Sequence, residues 1–587
     1  MSHLNGPRIN FWGGGSTNVD TANNEQYDES GSALINLSDA SVTPDMSDEA
    51  VINELRQTST DSSGNPTYAK GGWNYYGDHQ LKLMNATVSS SGYPGEVSTR
   101  SDLVGMPVYL LGGVDPESGD GPYGGPVMVD LDPSSGTTTQ IYAGGLIVGN
   151  PNEPVLLIRG NTIGHSRMIG LRYNSQKTSP PYNTPGSAYA SAIFQFAFAK
   201  SDIVSYDQQH PLLKAMIESP ASQGVIIRFS MFQFYPGYSA QHMKANYESN
   251  QNDANPSLGR IIGSIGPWYE GELATEPPGR QLTNADLGGA QGLAYLNEST
   301  NLLTLDLVSA LEGSAIRQDG HQNTSAPEPN VDYGNLLVNA GNNTIAQTPS
   351  LPNDYYLYGG IYDVPVSAAA IQTLKTHPLT LGSSKNNLQI NETPLRITCD
   401  QRNIYLDPGA SAPSIELIVE YLGQPVPHDW TLQLGTQSSG TLPDADFLTY
   451  PKTLTVKQGT RTVPLPVEVA TGKDGFTQLT LDADQSAGTW ISFRLYPNHD
   501  YSSVIQTGDV PWSLVYEECL RFYYVLFPAM SKRIPLNDES TIRAVGKEIL
   551  KRTSAVYRDT TLYMPLTRSL SPGKIALLRA FLGASES

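Results

Sequence analysis

The densest grouping of side chains able to hold or act on a ligand is Trp73-Asn74-Tyr75-Tyr76-Gly77-Asp78-His79-Gln80. Aromatic faces take planar ligands through stacking and buried area, and an imidazole beside a carboxylate can move a proton near neutral pH. Trp73, Tyr75, Tyr76, Asp78 and His79 are therefore the candidate ligand-binding residues, with an aromatic small molecule as the ligand. The plainer reading is a structural loop around one hydrogen-bonded histidine. Tyr355, Tyr356, Tyr358 and Tyr362 form a second, exposed-looking aromatic group with the same two readings. Among carboxylates, Asp130 and Asp132 fall on one face of a strand, which makes them a better acid–base pair than Asp400 and Asp407. Asp132 precedes Pro133, however, and that position favours capping a turn.

Other chemistries find no support in the spacing. None of the nine histidines has a second histidine three to five residues away, and none follows a glutamate by three. HExxH zinc sites and the Glu-x-x-His motifs of ferritin-like di-iron sites are therefore missing from the sequence. A GxSxG nucleophile elbow and a Walker phosphate loop are missing as well. Gly13-Gly14-Gly15 lacks a following lysine and helix and reads as a turn. Cys399 and Cys519, the only cysteines, have no CxxC or zinc spacing and read as small buried apolar residues. No catalytic residue, cofactor or metal ligand follows from these patterns.

The elements that must position such residues are mostly strands. With 55 glycines, 42 prolines, 32 tyrosines and only 16% charged residues in 587, the composition predicts many short strands joined by turn-rich loops. The expected fold is mainly β and multi-domain. Residues 1–70 read as an irregular segment after an apolar start, and 71–392 as a β-rich body. Short echoes, VMVDLD against LLTLDLV and GYPGE against GPWYEGE, raise two similar β-units in that body. About seven short strands over 393–508 predict an immunoglobulin-like β-sandwich without its Cys…Trp…Cys core. Residues 509–587 read as a helical unit. Val515, Cys519, Phe522 and Leu526 mark one helix face, and Ile542, Val545 and Ile549 a second. Ile575, Leu578 and Phe581 mark a third, opened by Ser571-Pro572 and closed by Gly583.

A formal charge of −21 argues against nonspecific nucleic-acid binding. From Ser531 to Arg579 there are ten Lys/Arg against four Asp/Glu, so a stretch near +6 follows a remainder near −27. Lys532, Arg533, Arg543, Lys547, Lys551 and Arg552 are the candidate docking residues, for an acidic surface on the chain itself or on a partner. No run reaches eighteen apolar residues and Met1–Asn10 is not a signal peptide, so a cytoplasmic protein without a membrane span is expected.

Several stretches resemble one family. PRINFWGG from Pro7, YYGDHQLKLMNATVS from Tyr75, VDLDPSSGTTTQIYAG from Val129 and GRIIGSIGPWYEGEL from Gly259 occur in order. PPGRQL from Pro277, YGGIYDVPVS from Tyr358, YYVLFPAMSKRIPLND from Tyr523 and YMPLTRSLSPGKIALLRAFL from Tyr563 continue it. Together they resemble the amino-terminal half of the iminophenylpyruvate dimer synthases of violacein-, rebeccamycin- and staurosporine-type bisindole pathways. The resemblance implies a free-standing homologue of that half, without the ferritin-like domain into which the tail leads there. Metal or haem assignments of the full-length enzymes have no residue here to rest on. The implied role is a binding or scaffold subunit for oxidative dimerisation in secondary metabolism, with a separately encoded ferritin-like oxidase as partner. Two alternatives stand beside it: a self-contained enzyme using the β-rich body near His79, and a carbohydrate- or surface-binding β-protein.

Overall fold

The computed structural model describes residues 3–17, 34–43, 45–56, 58–60, 66–68, 79–171, 190–236, 245, 248–249, 257–287, 290–311, 332–351, 355–440 and 442–583. Strands hold 41% of the chain and helices 19%, arranged in several sheets, so the molecule is mainly β and multi-domain as composition predicts.

Two antiparallel sheets enclose the first core. One runs, edge to edge, Arg167–Leu171, Ala190–Ala199, Ser222–Pro236, Ser257–Tyr269, Arg8–Thr17 and Lys82–Gly92. The other orders Ile203–Tyr206, Glu153–His165, Thr139–Asn150 and Val108–Leu111, with Val127–Asp130 also pairing to Thr139–Asn150. Phe194, Phe196, Phe198, Ile227 and Phe229 alternate inward and meet Leu146, Ile158 and Met216 of the helix Pro211–Glu218. The opposite face of the first sheet is buried too, and it mixes polar pairs with an apolar cluster of Ile193, Ile262, Leu293, Val308 and Ile361. Arg228 pairs with Asp306 at 3.1 Å, Ser230 meets Ser309 at 2.8 Å, and Arg8 grips Asp363. Alternate polar residues that would normally face water instead form the contact with the next sheet.

The beginning of the chain departs from expectation. Arg8–Thr17 is a ten-residue strand between Ser257–Tyr269 and Lys82–Gly92, not an irregular segment. Gly13-Gly14-Gly15 is neither turn nor phosphate loop, because all three lie within this strand. A Cβ on Gly13 would come within 2.5 Å of the Ala86 backbone, so close strand approach accounts for that glycine.

The next sheet has eight antiparallel strands: Asn343–Gln347, Leu336–Ala340, Leu379–Ser383, Gln389–Thr393, Arg280–Asn284, Ala290–Asn297, Leu302–Asp306 and Ile361–Pro365. Leu282, Leu303, Leu305, Val338, Leu381 and Ile390 pack beneath it with Ile371 and Leu374 of the helix Ala368–Leu374. Tyr355 and Tyr362 join this core, so the second aromatic group is not an exposed ligand platform.

The sandwich sets a three-stranded sheet (Leu395–Thr398, Ile415–Tyr421, Thr462–Leu465) against a five-stranded one. The latter orders Asn403–Leu406, Thr489–Leu495, Gly475–Asp482, Trp430–Gln437 and Thr453–Val456, around Leu417, Val419, Leu432, Leu479, Ile491 and Phe493. The apolar run from Leu395 to Leu406 forms two strands. It breaks after Thr398 and its halves enter opposite sheets. Asp400, in the break, accepts from the Ala274 and Thr275 amides at 3.0 Å and ties the sandwich to the preceding layer.

The final core joins the C-terminal helices to residues 34–55. Val515, Cys519, Phe522 and Leu526 are buried, as their spacing predicts, along Trp512–Val515, a π-helical turn Tyr516–Leu520, and Arg521–Leu526. Helices Glu539–Ala544, Gly546–Arg552 and Pro572–Phe581 complete the unit. Asp538 accepts from the Thr541 amide and Ser571 from that of Lys574, both as N-caps. Leu34, Ile35, Leu37, Val42, Val51 and Leu55 enter the same core from the N-terminal region. That region supplies a small hairpin (Ile35–Asn36, Ser41–Val42) and the helix Asp48–Leu55, where an irregular wrap was expected.

Candidate functional site

Of the five predicted ligand residues, Trp73, Tyr75, Tyr76 and Asp78 lie outside the described residues. His79 is described and is only 5% exposed. Its Nδ1 donates to the Met128 carbonyl at 3.1 Å, and its ring lies 5.6 Å from that of Phe527. Burial lowers its pKa to about 4; the Met128 hydrogen bond opposes the shift and the Arg568 charge adds to it. At pH 7 the ring is neutral and a weak base. His79 therefore stands at a joint between the β-rich layers and the helical unit, and its chemistry suits packing better than proton transfer.

The acidic pairs also have structural partners. The Asp132 carboxylate accepts from the Ser134 amide at 2.9 Å and Ser134 Oγ at 2.7 Å, the turn cap its place before Pro133 predicts. It also accepts from Ser439 Oγ in the sandwich. Asp407 receives Arg558 at 3.2 Å.

Part of the basic stretch docks on the chain's own body. Lys551 Nζ is 2.6 Å from Asp115 and 3.8 Å from Glu117, and Tyr557 Oη donates to Asp115 at 2.8 Å. Burial acts to raise the Asp115 pKa, but these donors outweigh it and hold the carboxyl well below its usual range. Lys574, 1% exposed, donates to the Asp39 carbonyl at 2.9 Å. The Arg568 guanidinium lies 3.5 Å over the Tyr142 ring. Arg543 pairs with Glu539 at 2.9 Å and donates to the Phe581 carbonyl at 3.1 Å. Lys532, Arg533, Arg543 and Lys547 stay exposed, whereas Lys551 and Arg552 are half-buried.

The same helices line a half-open cavity of about 330 Å³. Leu520, Tyr523, Met530, Ile534, Ile549 and Leu578 are among its walls, and Glu548 and Arg552 supply its charged lining. Two of the residues assigned to helix faces by spacing, Val545 and Ile549, are only half-buried, because they line this space. The π-helical turn Tyr516–Leu520 carries Cys519 and Leu520 into the wall. An extra residue in a helical turn shifts the following face, and such turns recur at functional sites. Helical periodicity identifies the apolar faces but carries no information on a gap between them, so the cavity had no direct signal in the sequence. Cys519 lines it as a neutral thiol, with its pKa pushed up to about 12 by burial.

A second, polar cleft of about 350 Å³ opens between the eight-stranded sheet and the sandwich. It is lined by Glu270, Glu272, Tyr295, Lys375, Glu420 and Arg461 among others. Burial raises the Glu420 pKa, against the pull of Arg396 and Arg461, and burial with the Glu272 charge raises that of Tyr295. Among the described residues, no group of three or more His, Cys, Asp or Glu side chains is placed to hold a metal ion. No helix among them is long and apolar enough to cross a membrane.

No family model matches the chain. Two named enzymes align with most of it. Dichlorochromopyrrolate synthase of Lentzea aerocolonigenes is 22% identical over 84% of this chain and 48% of its own length. The 2-imino-3-(indol-3-yl)propanoate dimerase of Chromobacterium violaceum is 23% identical over 100% of this chain and 58% of its own. The chain thus spans about half the length of the curated relatives it matches. This is distant similarity to the dimer synthases that the in-order stretches resemble, and it runs along most of the chain. Among solved structures, Escherichia coli alpha-2-macroglobulin activated by porcine elastase shows 12% identity and a TM-score of 0.14, covering 61% of this chain and 36% of that one. At that score no shared fold follows.

Proposed function

We propose that this chain is a binding and scaffold component for an oxidative coupling step in aromatic natural-product biosynthesis, acting with a ferritin-like oxidase partner. The observation that carries the reading is the alignment of the whole chain with a protein named as an imino acid dimerase. Joining two such molecules through a new carbon–carbon bond removes two electrons and two protons. The oxidase passes them to molecular oxygen, and this chain holds the aromatic acid and the partner. The half-buried, apolar cavity in the helical unit supports the first task. Exposed Lys532, Arg533, Arg543 and Lys547 on the same unit support the second, since exposed cations steer an acidic partner.

The test is size-exclusion chromatography of the chain co-expressed with a ferritin-like oxidase, at micromolar concentration and in low and high salt. A joint peak that weakens with salt is expected. Separate elution at both salt concentrations removes the scaffold reading.

A further inference from the structure

We propose that the half-open cavity lined by the C-terminal helices binds an aryl carboxylate, with the ring among the apolar walls and the carboxylate on Arg552. This deepens the reading above and rests on it for the biological source of the ligand; the chemistry rests on the cavity itself. A volume of about 330 Å³ lies at the lower end of the roughly 300–1,000 Å³ typical of small-molecule sites. It suits one mono- or bicyclic acid rather than a joined pair.

The deeper polar atoms of the lining are already engaged within the chain. Cys519 Sγ donates to the Lys574 carbonyl at 3.2 Å, Tyr523 Oη meets Ser569 Oγ at 2.8 Å, and Thr553 Oγ1 donates to the Ile549 carbonyl at 2.8 Å. Leu520, Met530, Ile534, Leu536, Ile549 and Leu578 offer only apolar surface, including a methionine sulfur that favours aromatic rings. The ligand body must accordingly be apolar.

Arg552 is different. Its Nε lies 3.7 Å from Glu548, an ion pair too long for a hydrogen bond, Nη1 reaches the Leu562 carbonyl only at 3.4 Å, and the Tyr557 ring lies 5.9 Å from the guanidinium carbon, at the outer limit of a cation–π contact. A planar guanidinium so loosely held can form a two-point contact with a carboxylate. Glu548, largely exposed one helical turn away, would compete with the ligand for that cation.

The experiment is calorimetric titration of the full chain with indole-3-pyruvate, phenylpyruvate and neutral indole. Saturable binding of both acids is expected. Arg552→Gln should weaken the acids by about ten- to a hundredfold, the loss of a charge-assisted contact, while leaving indole nearly unchanged. Glu548→Gln should tighten the acids, and Ile549→Trp, by filling the space, should abolish all binding. Circular dichroism checks that Ile549→Trp is folded, and Val545→Phe serves if it is not. Acids that bind Arg552→Gln as tightly as the parent chain, or that fail to bind the parent chain at millimolar concentration, would overturn the site. A long-chain fatty acid binding as well as the aryl acids, with the same response to the variants, would overturn the aryl assignment. Acid binding in this cavity by a chain that forms no complex with a ferritin-like oxidase would uphold the site and remove only the scaffold reading.

Discussion

Arg280 shows how charge is managed inside this protein. Its Nε and Nη2 both reach Glu392, the former at 2.7 Å, while Nη1 and Nη2 donate to the Leu374 and His377 carbonyls at 2.8 and 3.0 Å. Both side chains are nearly inaccessible to water. Removing one partner leaves the other charge buried without compensation, a cost of about 3–5 kcal/mol. Arg280→Ala should lower the unfolding free energy by that amount in urea titrations, and Arg280→Met with Glu392→Leu should recover most of it. The buried histidines set a second residue-scale property. Burial lowers the pKa of His79 to about 4 and of His165 to about 3, and drives that of His3 well below 6.5. Between these values and 6.5 the unfolded chain binds more protons than the folded one, so stability falls as pH drops. For His79 the loss between pH 6.5 and 4 is on the order of 3 kcal/mol. His79→Asn, which keeps a donor for the Met128 carbonyl, should lessen the acid sensitivity of the urea midpoint by that share. An unchanged pH profile would show that His79 does not titrate as its surroundings require.

At the level of elements, the helical unit depends on chain from the other end of the sequence. The helix Asp48–Leu55 is capped by Ser47 and buries Val51 and Leu55 against the C-terminal helices. Asp48 accepts from Arg521 Nε at 2.8 Å and from Tyr516 Oη at 2.5 Å. Leu55→Ala removes a fully packed side chain, at a cost of about 2–5 kcal/mol. Hydrogen exchange should then quicken over 512–526 and 572–581, while the sandwich strands keep their protection. Equal quickening in both regions would mean that the units unfold together.

Across the whole molecule, buried polar joints connect the layers. Arg167 and Arg396 both pair with Glu276, at 3.5 and 2.8 Å, and hold its pKa near 2 against the opposing effect of burial. Lys551 and Tyr557 fasten the helical unit to Asp115. Intramolecular docking therefore takes up part of the tail's positive charge and leaves a smaller exposed set for a partner. Arg533→Glu with Lys547→Glu should weaken association with an acidic oxidase by about tenfold or more at low salt and flatten its salt dependence. Surface plasmon resonance across a salt series measures both effects. An unchanged salt slope would place the contact elsewhere.

Local rules of the chain made much of the architecture legible. Period-two runs gave Phe194, Phe196 and Phe198 their shared inward face, and period-3.6 spacing gave the buried face through Val515, Cys519, Phe522 and Leu526. Ser571-Pro572 marked a helix start, because cap chemistry is local. What depends on distant neighbours was hidden. Gly13-Gly14-Gly15 resembles a turn until a strand packs directly upon it, and Leu395–Leu406 resembles one strand until its halves enter different sheets. The Tyr355–Tyr362 group looks exposed until a sheet covers it. His79 looks like a ligand residue until the final helices enclose it. The sequence by itself determined a mainly β chain with a basic helical end and in-order stretches resembling dimer synthases, since strand period, helix face, charge count and motif order are properties of neighbours along the chain. Only the tertiary structure decided which cations were already paired, because partners such as Lys551 and Asp115 stand hundreds of positions apart, and where a cavity remained, because its walls come from separate helices between Cys519 and Leu578.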